Sequence, residues 1–180
     1  MPSPVGHALG GFAFGWLVAR SSQLPRPFVA AAVFAGLGVL PDADLLVPGT
    51  HRIYSHSIAA AGLVGLLAAI SLTAAGPRAA HRADRVTLAL AAAAAYGSHV
   101  LLDWMGNDGS PPLGICALWP FSDAFYESDL HLFPPVERRY WLPIFWSRNA
   151  LALSRELLVM TPLAVLALVV RRRTTPSAQA

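Results

Sequence analysis

Histidine and aspartate residues in four separate stretches of this 180-residue chain have the types and spacings of metal ligands. His99 and Asp103 are four residues apart, so an α-helix would place both on one face, where they could bind one ion. Pro41 is expected to end a helix, which lets Asp42 and Asp44 project from the following turn in similar directions. The other candidates are histidines next to apolar stretches: His7, His51 and His56.

These residues predict a site for divalent metal ions. Imidazole and carboxylate ligands together suit zinc, with manganese or iron as alternatives. Because a closed zinc site takes about four ligands, seven candidates make two or three ions with bridging carboxylates reasonable, and we expect one to three ions in all. The single cysteine, Cys116, excludes a cysteine-based zinc site and an intrachain disulfide.

Three residues are candidates for a catalytic role beside the metal. Asp44 or Glu156 would act as the general base, and the Arg52 guanidinium would bind a substrate phosphate, whose oxygens it matches. Each has a structural alternative. Asp44 could be a solvated turn residue, Glu156 could pair with Arg155, and Arg52 could anchor the chain at a membrane interface.

Five apolar runs must position these residues. Hydrophobic residues make up 55% of the chain and charged residues 13%, where a soluble domain carries about 25%. Crossing a bilayer takes roughly 20 helical residues. The runs therefore predict an all-α, multi-pass transmembrane bundle of about five helices, with a soluble bundle as the alternative because the first two runs are short. The runs are His7–Ala19, Pro27–Leu40, Ser57–Ala75, Val86–Trp104 and Ala150–Val170.

Arginine placement predicts an orientation. If the first run ends in the cytoplasm, eight of the 13 arginines fall in short cytoplasmic segments, as the positive-inside rule requires. The His and Asp candidates then share the extracytoplasmic end of the helices, beside an aromatic- and proline-rich cap formed by residues 105–149. We expect one domain, 1–173, and a disordered tail, 174–180. The eight arginines are Arg20, Arg26, Arg78, Arg82, Arg85 and Arg171–Arg173.

The order of these motifs resembles a known family. The chain has His7, then Pro41-Asp42-x-Asp44, His51-Arg52-x-x-Ser55-His56-Ser57, Gly97-x-His99-x-x-x-Asp103 and Leu118-Trp-Pro-Phe-Ser122. Over about residues 5–170 this pattern is similar to the bacterial LexA-binding, inner-membrane-associated metal-dependent hydrolases, which implies an inner-membrane location and hydrolysis. The His/Asp order is more distantly similar to that of zinc-dependent phospholipases C. However, Gly97 stands two residues before His99, where their stricter motif has four.

Together these features predict a membrane-embedded metal-dependent hydrolase that acts on a phosphoester or other ester of a lipid-like, amphiphilic substrate through metal-activated water. The alternatives are a non-catalytic membrane scaffold or regulator with a structural metal site, and an ion carrier. The expected partners are the lipid bilayer and the substrate, and the sequence gives no oligomeric state. No nucleic-acid partner is expected, because the arginines form no basic helix or aromatic-interleaved patch.

Overall fold

The computed structural model of the protein describes residues 1–19, 26–76, 82–109 and 111–174. These residues form five helices and no β-strand: α1 Pro4–Val18, α2 Pro27–Val39, α3 Ile58–Ala74, α4 Arg82–Trp104 and α5 Phe145–Thr174. The predicted all-helical fold is therefore confirmed. The predicted tail lies outside the described residues except for Thr174, as do Arg20 and Arg78 of the predicted cytoplasmic segments.

Two helices begin at serine caps. Ser3 is the N-cap of α1, with Pro4 at the first helical position, and its Oγ accepts hydrogen bonds from two backbone N–H groups of the first turn. Ser57 caps α3, and its Oγ accepts from the Ala60 N–H at 3.1 Å. Because Ser57 follows His56 directly, this cap fixes the direction in which the chain leaves His56.

α2 ends before Pro41, as predicted, but Asp42 and Asp44 do not project from a turn after it, and that part of the prediction is wrong. α2 ends at Val39, and a 3₁₀ helix, Leu40–Leu46, continues from it. Pro41 has no N–H to donate to a carbonyl of the preceding turn, so regular α-helical bonding stops while tighter 3₁₀ turns continue. Asp42 and Asp44 therefore lie on a short helix that fixes their relative positions.

α1 and α4 form the centre of the bundle. α1 contacts α2, α4 and α5, and α4 also contacts α2 and α3. A Cβ on Gly11 would lie 2.3 Å from the Phe34 carbonyl oxygen, and one on Gly38 would lie 2.3 Å from the His7 carbonyl oxygen. α1 and α2 thus pack backbone to backbone, as small residues allow in membranes. This packing brings His7 to the end of α2 that leads into Asp42.

Three helical segments of the described chain are long and apolar enough to cross a membrane: Pro27–Leu46, Asp84–Trp104 and Phe145–Val170. α3 is a shorter apolar helix. Five of its large side chains are nonetheless more than half exposed: Ile58, Leu63, Leu66, Leu67 and Ile70. Continuous apolar surface of this kind suits contact with lipid. The number of crossings and the side on which the site opens stay predictions.

Residues 105–144, here called the aromatic segment, run across the ends of α3 and α4. The Ala117 carbonyl accepts a hydrogen bond from the Ile58 N–H at 2.9 Å. Phe133 is fully buried and packs with Leu102 of α4 and a methionine of α5. These contacts tie the segment to three helices, and its function as an extracytoplasmic cap stays a prediction.

Candidate metal centre

Seven histidine and aspartate side chains form one network of contacts, here called the His/Asp cluster. They come from α1, the 3₁₀ helix, the loop before α3, and α4. The structure thus brings together every residue predicted as a ligand, whereas the binding of metal stays a prediction. The members are His7, Asp42, Asp44, His51, His56, His99 and Asp103.

Four ligand atoms in the middle of the cluster have the spacing of a metal site. The Nε2 atoms of His56 and His99 are 3.0 Å apart. Oδ2 of Asp103 lies 3.3 Å from the first and 3.1 Å from the second, and Oδ1 of Asp42 lies 3.7 Å from each. Ligands held about 2.0–2.1 Å from a tetrahedral ion are about 3.4 Å from one another. The observed separations lie on either side of that value.

Three buried atoms in and beside this group, the two oxygens of Asp103 and Nδ1 of His7, lack hydrogen-bond partners among the described residues. His56 and His99 are 0% exposed and Asp103 is 2% exposed. Within the described part of the chain, neither Asp103 oxygen has a hydrogen-bond partner, because the nearby histidine nitrogens lie outside hydrogen-bonding geometry, and Nδ1 of His7 has none. Burying an unsatisfied carboxylate is costly. A divalent cation at this place would supply the missing partner, so the donor set fits a metal.

Backbone and carboxylate groups orient the two central histidines. Nδ1 of His99 lies 2.8 Å from the Gly38 carbonyl oxygen. Since a carbonyl can only accept, Nδ1 carries the proton and Nε2 presents its lone pair. Nδ1 of His56 lies 3.1 Å from Oδ2 of Asp44, and Asp44 in turn contacts Nδ1 of His51 at 2.7 Å. Partners of this kind are typical of histidines that bind metal.

His56 binds a proton tightly in the absence of a metal ion. Burial of its ring lowers the pKa, but the nearby carboxylates of Asp42 and Asp44 outweigh burial and raise the pKa to about 9. The pKa of His51 is lowered, because burial outweighs its contact with Asp44. Binding of an ion by His56 at neutral pH would therefore release a proton.

His7 extends the cluster beyond the four central atoms. Its ring stacks on His99 with centroids 3.7 Å apart and an interplanar angle of 17°, and its Nε2 lies 3.2 Å from Oδ1 of Asp103. Asp103 thus directs one oxygen to His7 and the other to His56 and His99, as a bridging carboxylate does. Two triplets have ligand atoms within 4.8 Å of one another: His7, His99 and Asp103, and Asp42, His51 and His56.

A model for the family described as YdjM inner membrane protein matches residues 1–175, which include the whole His/Asp cluster. The chain belongs to the YdjM inner membrane protein family. Membership of YdjM confirms the inner-membrane part of the predicted resemblance. It does not bear on hydrolysis or on similarity to phospholipase C. No curated protein and no solved structure matches the chain significantly.

Glu156 and Arg52, predicted as catalytic residues, have other partners in this YdjM protein. Glu156 is 0% exposed in α5, and its oxygens accept hydrogen bonds from the Ser3 N–H at 2.6 Å and the Ser3 hydroxyl at 2.5 Å. The alternative, an ion pair with Arg155, is not among the contacts of the described residues. Arg52 makes an ion pair with Asp108. The structure therefore places neither charged group among the central ligand atoms.

Two partners of the central histidines are not among the predicted site residues. Ser55 places its Oγ 2.5 Å from Asp44 Oδ2 and 3.0 Å from His56 Nδ1. Its position directly before His56 was an available signal. The Gly38 carbonyl gave no signal, because its contact with His99 depends on how α2 packs against α4.

Proposed function

We propose that this YdjM-family protein is a membrane-embedded metal-dependent hydrolase that cleaves a phosphoester or other ester of a lipid-like substrate. The observation that carries the proposal is the meeting of His56, His99, Asp103 and Asp42 at metal-ligand spacing, with orienting partners behind the histidines. Two imidazoles with a carboxylate suit zinc, and also manganese or iron. We place the site on the extracytoplasmic side, as arginine placement predicts.

The four central side chains differ in exposure, and this suggests different roles. The side chains of His56, His99 and Asp103 are at most 1% exposed, whereas that of Asp42 is 20% exposed. The three buried groups would hold the ion, and water and substrate would reach it past Asp42. A bound zinc ion would lower the pKa of a water molecule to about 7. Asp42, at the accessible side, could accept the proton of the attacking water.

Asp44 is better suited to position His56 than to act as the general base. One of its oxygens contacts Nδ1 of His51 at 2.7 Å. The other accepts from the Ser55 hydroxyl at 2.5 Å and from the Arg52 backbone N–H at 3.2 Å. With both oxygens engaged, Asp44 has little capacity to take a proton from water. Its contact with Nδ1 of His56 keeps the opposite nitrogen directed at the central atoms.

An apolar cavity whose wall includes sequence neighbours of three cluster residues supports a substrate with a hydrocarbon chain. The cavity has a volume of about 380 Å³ and lies between α3, α4 and the aromatic segment. Val100 and Trp104 in its wall directly follow His99 and Asp103 in the sequence, and Ile58 lies two residues after His56. Pockets for small molecules typically start at about 300 Å³. The cavity therefore has room for an acyl chain.

The test combines metal analysis with turnover of detergent-purified full-length protein. Zinc-loaded wild type should hydrolyse chromogenic phosphoesters or carboxylic esters, and chelation should abolish turnover reversibly. Asp42→Asn should keep most of the metal and lose roughly 100- to 10,000-fold in rate. Asp123→Asn, an exposed aspartate of the aromatic segment, should behave as wild type. Wild-type protein that retains its zinc but hydrolyses none of these esters would refute hydrolysis.

A non-catalytic scaffold or regulator with a structural metal is the second candidate. The spacing of four protein ligands around one point favours it, because closed structural zinc sites have four such ligands. In a scaffold, the metal would raise the thermal stability of wild type, and wild type would show no turnover. Asp42→Asn would then lower the affinity for the metal. The two candidates thus differ in what this substitution changes.

A further inference from the structure

The guanidinium of Arg138 lies exposed at the edge of the His/Asp cluster. Its Nη2 is 3.5 Å from Nε2 of His51. His51 contacts Asp44, which contacts His56, so two side chains separate Arg138 from a central ligand. Within the described ranges no carboxylate lies at ion-pair distance from Arg138. Most of its five N–H donors are therefore available to a ligand.

Neighbouring arginines are occupied by carboxylates. Arg139 binds Glu137 through two contacts of 2.8 Å, Nε to Oε1 and Nη2 to Oε2. Arg148 places Nη1 3.5 Å from Oε2 of Glu137. Arg52, the arginine predicted to bind phosphate, pairs with Asp108. The anion-binding role predicted for Arg52 is therefore better suited to a guanidinium without a carboxylate partner.

The residue before Arg138 fixes its position on the fold. Glu137 is 7% exposed, and its backbone binds the Asn149 side chain twice. The Glu137 N–H donates to Asn149 Oδ1, and the Asn149 amide donates to the Glu137 carbonyl, each at 2.9 Å. Asn149 belongs to α5, so the backbone next to Arg138 is held against a helix. Because the neighbouring backbone is already fixed, Arg138 loses less backbone freedom when its side chain binds a ligand.

Charge balance at the cluster calls for another cation if the substrate is an anion. Asp42, Asp44 and Asp103 contribute three negative charges, so one divalent ion leaves one negative charge uncompensated. An anionic substrate would be repelled from that site. A guanidinium at its edge offsets the repulsion, and its planar fork matches the oxygens of a phosphoryl group.

We infer that Arg138 binds the phosphoryl oxygens of the substrate and thereby selects phosphoesters over neutral esters. The inference rests on the proposed function and narrows its substrate class. The shared chemistry is a phosphoryl oxyanion, which a lipid headgroup and free phosphate both carry. Arg138 would act on substrate binding, while the reacting atoms lie at the central ligands.

The direct test is calorimetric titration of zinc-loaded, detergent-purified full chain with two probes, dihexanoyl phosphatidic acid and inorganic phosphate. Arg138→Gln should weaken binding about 10- to 100-fold, the size of lost charge-assisted hydrogen bonds. Arg138→Lys, which keeps the charge but not the fork, should be intermediate. Tighter binding of the lipid probe assigns the phosphoryl group to a lipid, and equal binding assigns it to free phosphate.

The matched control is Arg139→Gln, because this neighbouring arginine is bound to Glu137. Arg139→Gln should bind both probes as wild type does. The melting temperature of Arg138→Gln should equal that of wild type, which excludes misfolding as the cause of weaker binding. Three results would overturn the assignment: binding of neither probe by wild type, wild-type affinity in Arg138→Gln, or equal losses in the two variants.

Turnover separates this inference from the proposed function. For an active enzyme, Arg138→Gln should lower the ratio of kcat/KM for a phosphodiester to kcat/KM for a neutral ester at least tenfold. Arg138-dependent phosphate binding without any turnover would refute hydrolysis and leave the anion site standing. Turnover with unchanged phosphate affinity in Arg138→Gln would refute the anion site and leave hydrolysis standing.

Discussion

Replacing Asp103 by asparagine should have opposite effects on the stability of the metal-free and the zinc-loaded protein. Asp103 is 2% exposed, and its oxygens lie 3.1–3.3 Å from nitrogens of three histidines without forming a hydrogen bond. Asparagine keeps the shape and removes the buried charge. Above about pH 9, where His56 has lost its proton and no longer offers a cation to the carboxylate, metal-free Asp103→Asn should therefore be at least as stable as metal-free wild type. With zinc present it should be the less stable protein.

The magnitude follows from the number of ligands. A structural zinc ion contributes on the order of 10 kcal/mol. A tetrahedral ion has four ligands, here the three buried groups and either water or Asp42, so each accounts for roughly 2.5 kcal/mol, or about 70-fold in affinity. At a zinc concentration of about 100 times the wild-type Kd, binding stabilises wild type by about 2.7 kcal/mol and the variant by about 0.5 kcal/mol. For a chain of this length the difference corresponds to a Tm gap of roughly 4–9 °C.

The assay is thermal unfolding in detergent with and without zinc, combined with metal analysis of both proteins. Asp123→Asn, which removes an exposed carboxylate of the aromatic segment, controls for loss of charge alone. It should show the full wild-type zinc shift. Equal zinc-induced Tm shifts in wild type and Asp103→Asn would refute the reasoning, because Asp103 would then contribute nothing to metal binding.

Three further predictions follow from individual contacts. Gly38→Ala should destabilise the fold by about 1–3 kcal/mol in a denaturation assay, because its Cβ would lie 2.3 Å from a carbonyl oxygen of α1. Gly36→Ala in the same helix is the control. Its Cβ would meet nothing within 4 Å, so it should be neutral in the same assay. Glu156→Ala should lower the Tm more than Glu156→Gln, because only glutamine can still accept a hydrogen bond from Ser3. The raised pKa of His56 stabilises metal-free protein below about pH 6.5, and this contribution should fade as pH rises towards about 9. Zinc affinity, measured by titration, should increase over the same interval because zinc displaces that proton.

Local patterns predicted most of the fold. Runs of apolar residues located all five helices, because a helix in lipid needs an uninterrupted apolar surface. The boundaries were less accurate where polar residues take part. α5 begins at Phe145 and α4 at Arg82, each four or five residues before the apolar run. The continuation of α2 as a 3₁₀ helix depends on a hydrogen-bond pattern that hydropathy does not report.

Membership of the cluster was predictable, but the division of roles within it was not. The spacing of His99 and Asp103 placed two residues on one helix face whatever the tertiary structure. Asp44 contacts His51 and Ser55 of the loop before α3, whereas Asp42 lies near His99 of α4, and both sets of contacts arise from folding. Glu156 lies 153 residues from Ser3 in the chain. No local pattern could indicate that contact.

Gly38 joins helix packing to the choice of protonated nitrogen in His99. Its lack of a side chain lets α1 approach closely. Its carbonyl oxygen accepts a hydrogen bond from Nδ1 of His99, with 2.8 Å between the nitrogen and the oxygen. The lone pair on Nε2 is thereby selected before any cation arrives, so uptake and release need no tautomer change in this ring. Gly38, which has no side chain, thus determines which nitrogen of His99 is free to bind a cation.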